Sequence, residues 1–302
     1  MAIQFTCPHC GGVQTAEERY AGATGPCTAC GKSVVVPGGP AQFTPTKPAG
    51  SNAGIGGILL IVGVIGLVVL LGCGGVMIAL LLPAVQASRT AARRMQSANN
   101  EKQILLALHN YESVHGQFPP AYIPDANGKP MHSWRVLILP YMEQASLHAQ
   151  YDFSKPWDSP ENLAVAESMP RIFRSPFEEP TPQNRNHTSY LLFAGKGTIF
   201  EDPQAKISVN KITDGTSNTI ALTEVNGSGV IWTQPTDLDA AQLDFKIRNM
   251  RDAQPGQINT AYSQGVTMGM FDGSVRFISA EVQPEVLRTA VDPDDGQVVN
   301  LP

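Results

Sequence analysis

Hydrophobic positions are spread very unevenly along the chain. Between Pro48 and Ser88 there is no Asp, Glu, Lys or Arg, and residues 55–82 are almost wholly apolar. At 1.5 Å per residue, a helix over this segment would be about 42 Å long, which exceeds the ~30 Å hydrocarbon core of a bilayer. The segment therefore predicts a single transmembrane helix at 55–82, with membrane lipid as a partner. A buried core helix and the apolar part of a signal peptide are the alternatives.

Apolar residues continue at helical spacing beyond the predicted span. They are Ala84, Ala87, Ala91, Met95, Ala98, Leu105 and Leu108. Arg89 and Arg93 fall on the opposite face of this helix. Pro83 is expected to kink the helix without ending it, because both flanks remain helix-like, whereas Gly116 and the prolines after it should stop it. The pattern predicts one helix over 55–115.

The rest of the chain mixes short helical and strand patterns. We expect helices at 133–144 and 284–290, and strands in the segments Ser189–Ala194, Thr219–Val225, Val230–Thr233, Val266–Phe271 and Ser274–Ile278. Asp272-Gly273 lies between two of these runs, which is a strong hairpin signal. A long helix followed by antiparallel strands predicts an α+β fold.

Four of the five cysteines form a compact motif near the N-terminus. They are Cys7, Cys10, Cys27 and Cys30, in the segments "CPHCGG" and "CTACGK". Two C-x2-C pairs supply the four thiolates of a closed tetrahedral site, which is typical of structural zinc. A rubredoxin-like iron site, a redox pair and two disulfides are the alternatives. The pairs resemble zinc-ribbon knuckles, and in so small a module the metal would supply the folding energy.

Composition and charge divide the chain into four predicted parts and indicate which classes of partner to expect. The predicted parts are a zinc ribbon at 1–36, a Pro/Gly linker at 37–54, the transmembrane helix at 55–82 and an α+β domain at 83–302. The net charge is −5, with no concentrated basic segment, so we expect protein partners for the ribbon and no nucleic-acid partner. The sequence identifies no small-molecule ligand.

Motifs that would indicate an enzyme are missing from the sequence. There is no G-x-S-x-G, H-E-x-x-H, Walker loop or dinucleotide fingerprint, and the histidines after the ribbon are scattered without ligand spacing. We therefore predict no catalytic and no cofactor-binding residues. Asp214-Gly215 and Asp272-Gly273 could be calcium-binding loops, but turns are the simpler interpretation because no D-x-D-x-D cluster accompanies them.

Several blocks resemble a large planctomycete family known as domain of unknown function 1559. They include "LLLPAVQASRTAARRMQSANNEKQILLALHNYESVHGQFPPA", "SWRVLILPYMEQASLHAQYDFSKPWDSPEN", "ITDGTSNTIALTEV" and "GVTMGMFDGSVRFIS", and together they span 80–279. The resemblance implies a pilin-like fold, with the long helix packed on an antiparallel sheet. Tyr262 stands where the family signature has a histidine, with nine residues between it and Asp272, and Ser175 stands where the family often has cysteine. The apolar run at 55–82 also lacks the glutamate that the family resemblance implies for pilin-like assembly, which argues against processing and polymerisation.

Together these features predict a non-enzymatic, single-span membrane protein of the cell envelope. The zinc ribbon is expected in the cytoplasm and the C-terminal domain outside, although the excess of basic residues after the span favours the opposite orientation. A receptor whose outer domain binds a solute or polymer and signals through the ribbon is one alternative. An uncharacterised enzyme is the other.

Overall fold

A computed structural model gives the fold. It describes residues 1–38, 53–252, 254, 256–262, 264–299 and 301, while the side chains of 53–61 and 69–78 lie outside the described part. Most of the predicted linker at 37–54 also lies outside it. The chain divides into two compact units, Met1–Val76 and Met77–Pro302.

The N-terminal unit begins with two small antiparallel hairpins. Their strands are β1 (Ala2–Thr6), β2 (Val13–Glu17), β3 (Thr24–Pro26) and β4 (Ser33–Val35). β1 pairs with β2, and β3 pairs with β4. Among the described residues of this unit, the buried apolar cluster comprises Cys7, Cys27 and Val34, with Phe5 packed against it. So small a core contributes little hydrophobic stabilisation.

The long helix α1 (Ala53–His115) is a single element with Pro83 inside it, as the apolar spacing predicts. Within the described part of the chain, no helix is both long and apolar enough to cross a membrane. The predicted span at 55–82 is therefore not supported by the structure. Its residues 55–61 and 69–78 are among those whose side chains are outside the described part.

The second unit consists of the latter part of α1, short helices and a five-stranded sheet. After α1 come β5 (Tyr122–Pro124), β6 (Pro130–Ser133), α2 (Trp134–Leu137), α3 (Ala145–His148), α4 (Pro160–Ala166), β7 (Tyr190–Ala194), β8 (Ile220–Glu224), β9 (Leu238–Asp239), β10 (Ile247–Asn249), β11 (Ile258–Thr260), β12 (Gly265–Met270), β13 (Val275–Ser279) and α5 (Pro284–Val291). The sheet order is β13-β12-β8-β7-β9. All its pairings are antiparallel except that of β7 with β9, so the fold is α+β with a predominantly antiparallel sheet.

Two local predictions need correction. The segment Val230–Thr233 is not a strand, because only Ile231 forms an isolated bridge, with His187. The segment is held instead by the Trp232 indole, which is buried and donates to the Ala166 carbonyl at 2.9 Å. The helix predicted at 133–144 is split into α2 and a 3-10 turn at Leu139–Met142, since the proline in that turn has no N–H to continue the helix.

The core of the second unit forms where α1 packs on the sheet. Ile104, Leu105 and Leu108 of α1 are almost fully buried in a cluster with Leu222 of β8. Gly269 of β12 permits the close approach, because a Cβ at this position would lie 2.7 Å from Leu105 Cδ1. The helix face that continues from these residues toward the N-terminus carries the polar side chains described below.

Candidate metal centre and buried carboxylate cluster

The two cysteine pairs lie on equivalent turns of the N-terminal unit. The Gly11 amide donates to the Cys7 carbonyl at 3.0 Å, and the Gly31 amide donates to the Cys27 carbonyl at 2.8 Å. Both glycines have positive φ, of 71° and 72°, a conformation that glycine adopts without strain. The repeated C-x2-C-G spacing therefore gives both pairs the same local geometry.

The turns bring all four predicted ligands together. The Sγ atoms of Cys7, Cys10, Cys27 and Cys30 lie within 4.8 Å of one another. The closest separations, 3.7 Å and 3.9 Å, are far longer than a disulfide bond, so the thiols are free. Although burial opposes it, hydrogen bonds from the Cys30 and Ala29 backbone lower the pKa of Cys27 to about 6. These four sulfurs could hold one metal ion in a closed site.

A second polar centre, absent from the sequence predictions, lies between α1 and the sheet. Glu101 of α1 and Glu224 of β8 are both fully buried. The Thr267 hydroxyl lies between them, with its Oγ1 at 3.0 Å from Glu101 Oε1 and 3.2 Å from Glu224 Oε2. Two carboxylates in one buried site cannot both be ionised without a large cost in free energy. Their hydrogen bonds therefore indicate how the charge is distributed between them.

Hydrogen-bond donors converge on Glu224. Ser97 Oγ donates to Oε2 at 2.6 Å, and Asn226 Nδ2 donates to Oε1 at 2.9 Å. The Ser175 hydroxyl makes a further, short bond to Oε1. With Thr267, four side chains from three separate segments and α1 are aimed at one carboxylate. Such a donor set stabilises a negative charge at Glu224.

Glu101 has the opposite environment. Its Oε2 has no hydrogen-bond partner among the described residues, and its Oε1 lies 3.0 Å from the Thr267 hydroxyl oxygen. Burial first, and then the charge of Glu224, raise the pKa of Glu101 well above its ordinary value. A hydroxyl carries a single hydrogen, so Thr267 cannot donate to both glutamates at once. A proton on Glu101 would remove this conflict, because Thr267 would then be free to donate to Glu224.

The network continues from Ser97 toward the surface. Ser97 Oγ lies 2.9 Å from the Tyr190 hydroxyl, which in turn accepts from Asn100 Nδ2 at 3.2 Å. Because Ser97 donates to Glu224, Tyr190 must donate to Ser97. Asn100 and Ser175 also line a groove of about 670 Å³ beside α1. The cluster is thus linked to the surface by hydrogen-bonded side chains, although its two carboxylates are enclosed.

Arg135 and Asp237 form a further buried charged pair, and each is hydrogen-bonded to the other. Arg135 Nη2 lies 2.6 Å from Asp237 Oδ1, with both side chains buried. Arg135 also donates to the Tyr190 carbonyl, and Asp237 accepts from the Leu192 amide and the Trp134 indole. This ion pair fastens α2 to β7. Its complete pairing contrasts with the unpartnered oxygen of Glu101.

The other residues singled out from the sequence lie in different environments in the structure. Ser175 bonds to Glu224, as described, and Tyr262 is 4% exposed on the same side of α1. Asp272 caps the β12–β13 hairpin by accepting from the Ser274 amide at 2.8 Å, which confirms the predicted turn. Asp214 also lies in a turn, where its Oδ1 accepts from the Gly296 amide at 3.1 Å.

The glutamates were missed because the sequence reasoning followed apolar periodicity alone. Glu101 falls three residues before Ile104 and four before Leu105, so it lies on the buried face of α1. Glu224 ends a strand whose residues are all buried. The sequence did contain a signal, because each glutamate occupies a position that its helix or strand pattern assigns to the buried face.

Comparison with known families supports the resemblance seen in the sequence. Residues 86–205 match the model of a family described as "Protein of unknown function (DUF1559)". We refer to this matched stretch as the DUF1559 segment. No curated protein and no solved structure matches the chain. The DUF1559 segment includes Ser97, Glu101 and Ser175, whereas Glu224 and Thr267 lie beyond it, so the cluster joins the family segment to the C-terminal strands.

Proposed function

We propose that this protein is a non-enzymatic structural or interaction protein of the cell envelope. In this proposal an N-terminal zinc ribbon contacts a protein partner, and the DUF1559 segment with its C-terminal strands forms a pilin-like domain built on α1. The observation that carries the proposal is the convergence of four free thiols in a unit with almost no apolar core. Such a unit depends on a metal for its fold, and a closed site leaves no open position for catalysis.

Zinc is the metal that the donor set favours. Four thiolates in two C-x2-C pairs suit a tetrahedral d¹⁰ ion, and iron is the alternative for the same set. Elemental analysis of the purified full-length chain should find one zinc per chain. Cys10→Ser should lose the metal, whereas Cys73→Ser, which alters the cysteine outside the two pairs, should retain it. Iron in place of zinc, or equal metal loss in both variants, would refute this assignment.

The role of the ribbon can be tested by comparing the protein partners of the intact chain with those of chains in which the ribbon is altered or removed. Residues 1–36 have a small apolar core and carry acidic as well as basic side chains, which supports protein contact over nucleic-acid binding. Affinity purification should compare the full-length chain, the Cys10→Ser variant and a chain lacking 1–36. Partners that are lost in both altered chains would support the proposal. Identical partner sets in all three would contradict it.

Membrane anchoring is part of the proposal and rests on the sequence alone. The absence of Asp, Glu, Lys and Arg between Pro48 and Ser88 supports insertion of residues 55–82 in lipid. The full-length chain should then sediment with membranes at high salt and alkaline pH and be released only by detergent. Release without detergent would refute this part of the proposal.

Orientation can be measured on the same cells. We propose that the ribbon is cytoplasmic, since thiolate sites are favoured in reducing compartments, and that the C-terminal domain is outside. Glu281 is exposed, so a Glu281→Cys variant should react with a membrane-impermeant maleimide in intact cells. Labelling that requires cell lysis would place the domain inside and reverse the proposed orientation.

A further inference from the structure

The stretch of α1 at residues 79–93 presents apolar side chains to its surroundings. Every residue of this stretch, called the exposed segment below, is exposed. Its large apolar side chains are those of Leu80, Leu81, Leu82 and Val85, with exposed fractions of 71%, 59%, 56% and 44%. Leu81 and Leu82 lie four and three residues before Val85, so these side chains are neighbours on the helix surface. A contiguous apolar patch of this kind marks an interaction surface.

The charge of the exposed segment has one sign. Its charged residues are Arg89 and Arg93, and the sequence has no Asp or Glu from residue 19 to residue 100. None of the ion pairs formed among the described residues includes either arginine. The adjacent Arg94 differs, because it is half-buried and stacks on an aromatic ring of the fold. Arg89 and Arg93 therefore offer positive charge to whatever covers this part of the helix.

The apolar and the basic side chains of the exposed segment are separated along the helix axis. At 1.5 Å per residue, Arg89 lies about 6 Å beyond Val85, and Arg93 lies about 6 Å beyond Arg89. The headgroup layer on each side of a bilayer is roughly 5–8 Å thick, from the difference between the whole bilayer and its hydrocarbon core. With Val85 at the edge of the hydrocarbon, the two guanidinium groups lie at the depth of the lipid phosphates and at the outer surface of the headgroups.

Charge complementarity selects among the possible occupants of this surface. Two copies of the chain that paired through the exposed segment would bring four arginines together, and the segment contains no acid to offset their repulsion. A surface of anionic phospholipids supplies both the missing negative charge and an apolar layer beneath it. A guanidinium also suits a phosphate in particular, because its planar edge can form two parallel hydrogen bonds to the phosphate oxygens.

We propose that the exposed segment lies in the surface layer of a bilayer and that Arg89 and Arg93 bind the phosphates of anionic phospholipids. The apolar patch contacts the acyl chains beneath them. This inference rests on the membrane anchoring proposed above and adds the class of lipid and the residues that bind it. The apolar run at 55–82 is longer than the hydrocarbon core is thick, so it could shift or tilt in the membrane. Two phosphate-bound arginines fix its depth.

Electron paramagnetic resonance of spin-labelled lipids tests this proposal on the full-length chain reconstituted in phosphatidylcholine vesicles. Lipid in contact with the protein gives a motionally restricted signal, which compares the association of labelled phosphatidylglycerol with that of labelled phosphatidylcholine. We expect phosphatidylglycerol to associate more strongly, by roughly fivefold for each arginine that binds it. Salt at about 1 M should weaken this preference, because it shortens the screening length to about 3 Å.

Matched variants separate these two arginines from charge in general. A chain with both Arg89→Gln and Arg93→Gln should bind the two lipids equally. Lys102→Gln removes a charge from an exposed position about 14 Å further along the same helix and should leave the preference unchanged. If neither lipid gives a restricted signal, the membrane anchoring itself is refuted. If both lipids give it equally with the wild-type chain, or if the double variant keeps the preference, anchoring stands and the lipid proposal is overturned.

Discussion

Replacing Glu101 with glutamine tests whether the buried carboxylates share their charge as the hydrogen bonds indicate. Glutamine has nearly the same shape and stays neutral at every pH. If Glu101 is neutral in the folded protein, Glu101→Gln reproduces the native charge and leaves the carboxylate of Glu224 with its donors. The substitution should therefore be tolerated at a site where burial would normally make any change costly.

The sign and size of the pH effect follow from the raised pKa of Glu101. The folded protein keeps the proton to a higher pH than the unfolded chain, in which an ordinary glutamate has a pKa near 4.5. Below that value both states are protonated and the contribution is constant. Above it, the free energy of unfolding falls by up to about 1.4 kcal/mol per pH unit, until the folded pKa is passed. Glu101→Gln should remove this slope, so the variant gains stability relative to wild type as the pH rises.

Urea unfolding of the full-length chain, followed by tryptophan fluorescence between pH 4.5 and 8.5, measures this difference. Trp134 and Trp232 are fully buried in the same unit as the cluster and report its unfolding. Glu178, Tyr190, Tyr262 and Arg94 also face or adjoin the cluster, but they are common to both proteins and largely cancel in the difference. Glu281→Gln, at an exposed position, is the control and should follow wild type. A difference between Glu101→Gln and wild type that is independent of pH would refute the reasoning.

Other substitutions test the remaining structural arguments. Asp237→Asn leaves the buried Arg135 without its counter-charge and should lower the free energy of unfolding by about 3 kcal/mol or more, measured by urea unfolding. Gly269→Ala places a Cβ 2.7 Å from Leu105 Cδ1 and should cost about 1–3 kcal/mol, and a smaller residue at 105 should recover part of that loss. Removal of metal with a chelator should unfold residues 1–36 and leave the tryptophan signal of the second unit unchanged, as NMR and fluorescence on one sample would show.

The sequence predicted those parts of the fold that depend on local patterns. Helix α1, the C-x2-C turns and the Asp272-Gly273 hairpin all follow from spacing over a few residues, and each is present. The parallel edge strand β9 could not be predicted, since it is only two residues long and pairs with β7 from far along the chain. Short strands of this kind are specified by tertiary contacts, which a single-sequence pattern does not contain.

The carboxylate cluster was missed for a related reason. Its members lie at positions 97, 101, 175, 224 and 267, so no motif of fixed spacing connects them. Three separate elements bring four of them together: α1 carries Ser97 and Glu101, β8 carries Glu224 and β12 carries Thr267. A polar residue in register with an apolar face was visible at Glu101, but its partners could be identified only from the packed structure.

The position of this cluster has a consequence for how the second unit holds together. Around Leu105 and in the turn that follows it, α1 packs on the sheet through apolar contacts. Around Ser97, nearer the N-terminus of the helix, α1 is held by hydrogen bonds to Glu224 and Tyr190. Apolar contacts tolerate small shifts in register, whereas a buried carboxylate that loses its donors carries the full cost of desolvation. The polar contacts therefore fix the axial position of α1 against β7 and β8. Since α1 also carries Arg94, about two turns before Glu101, the same network sets the position of its guanidinium over the Phe277 ring.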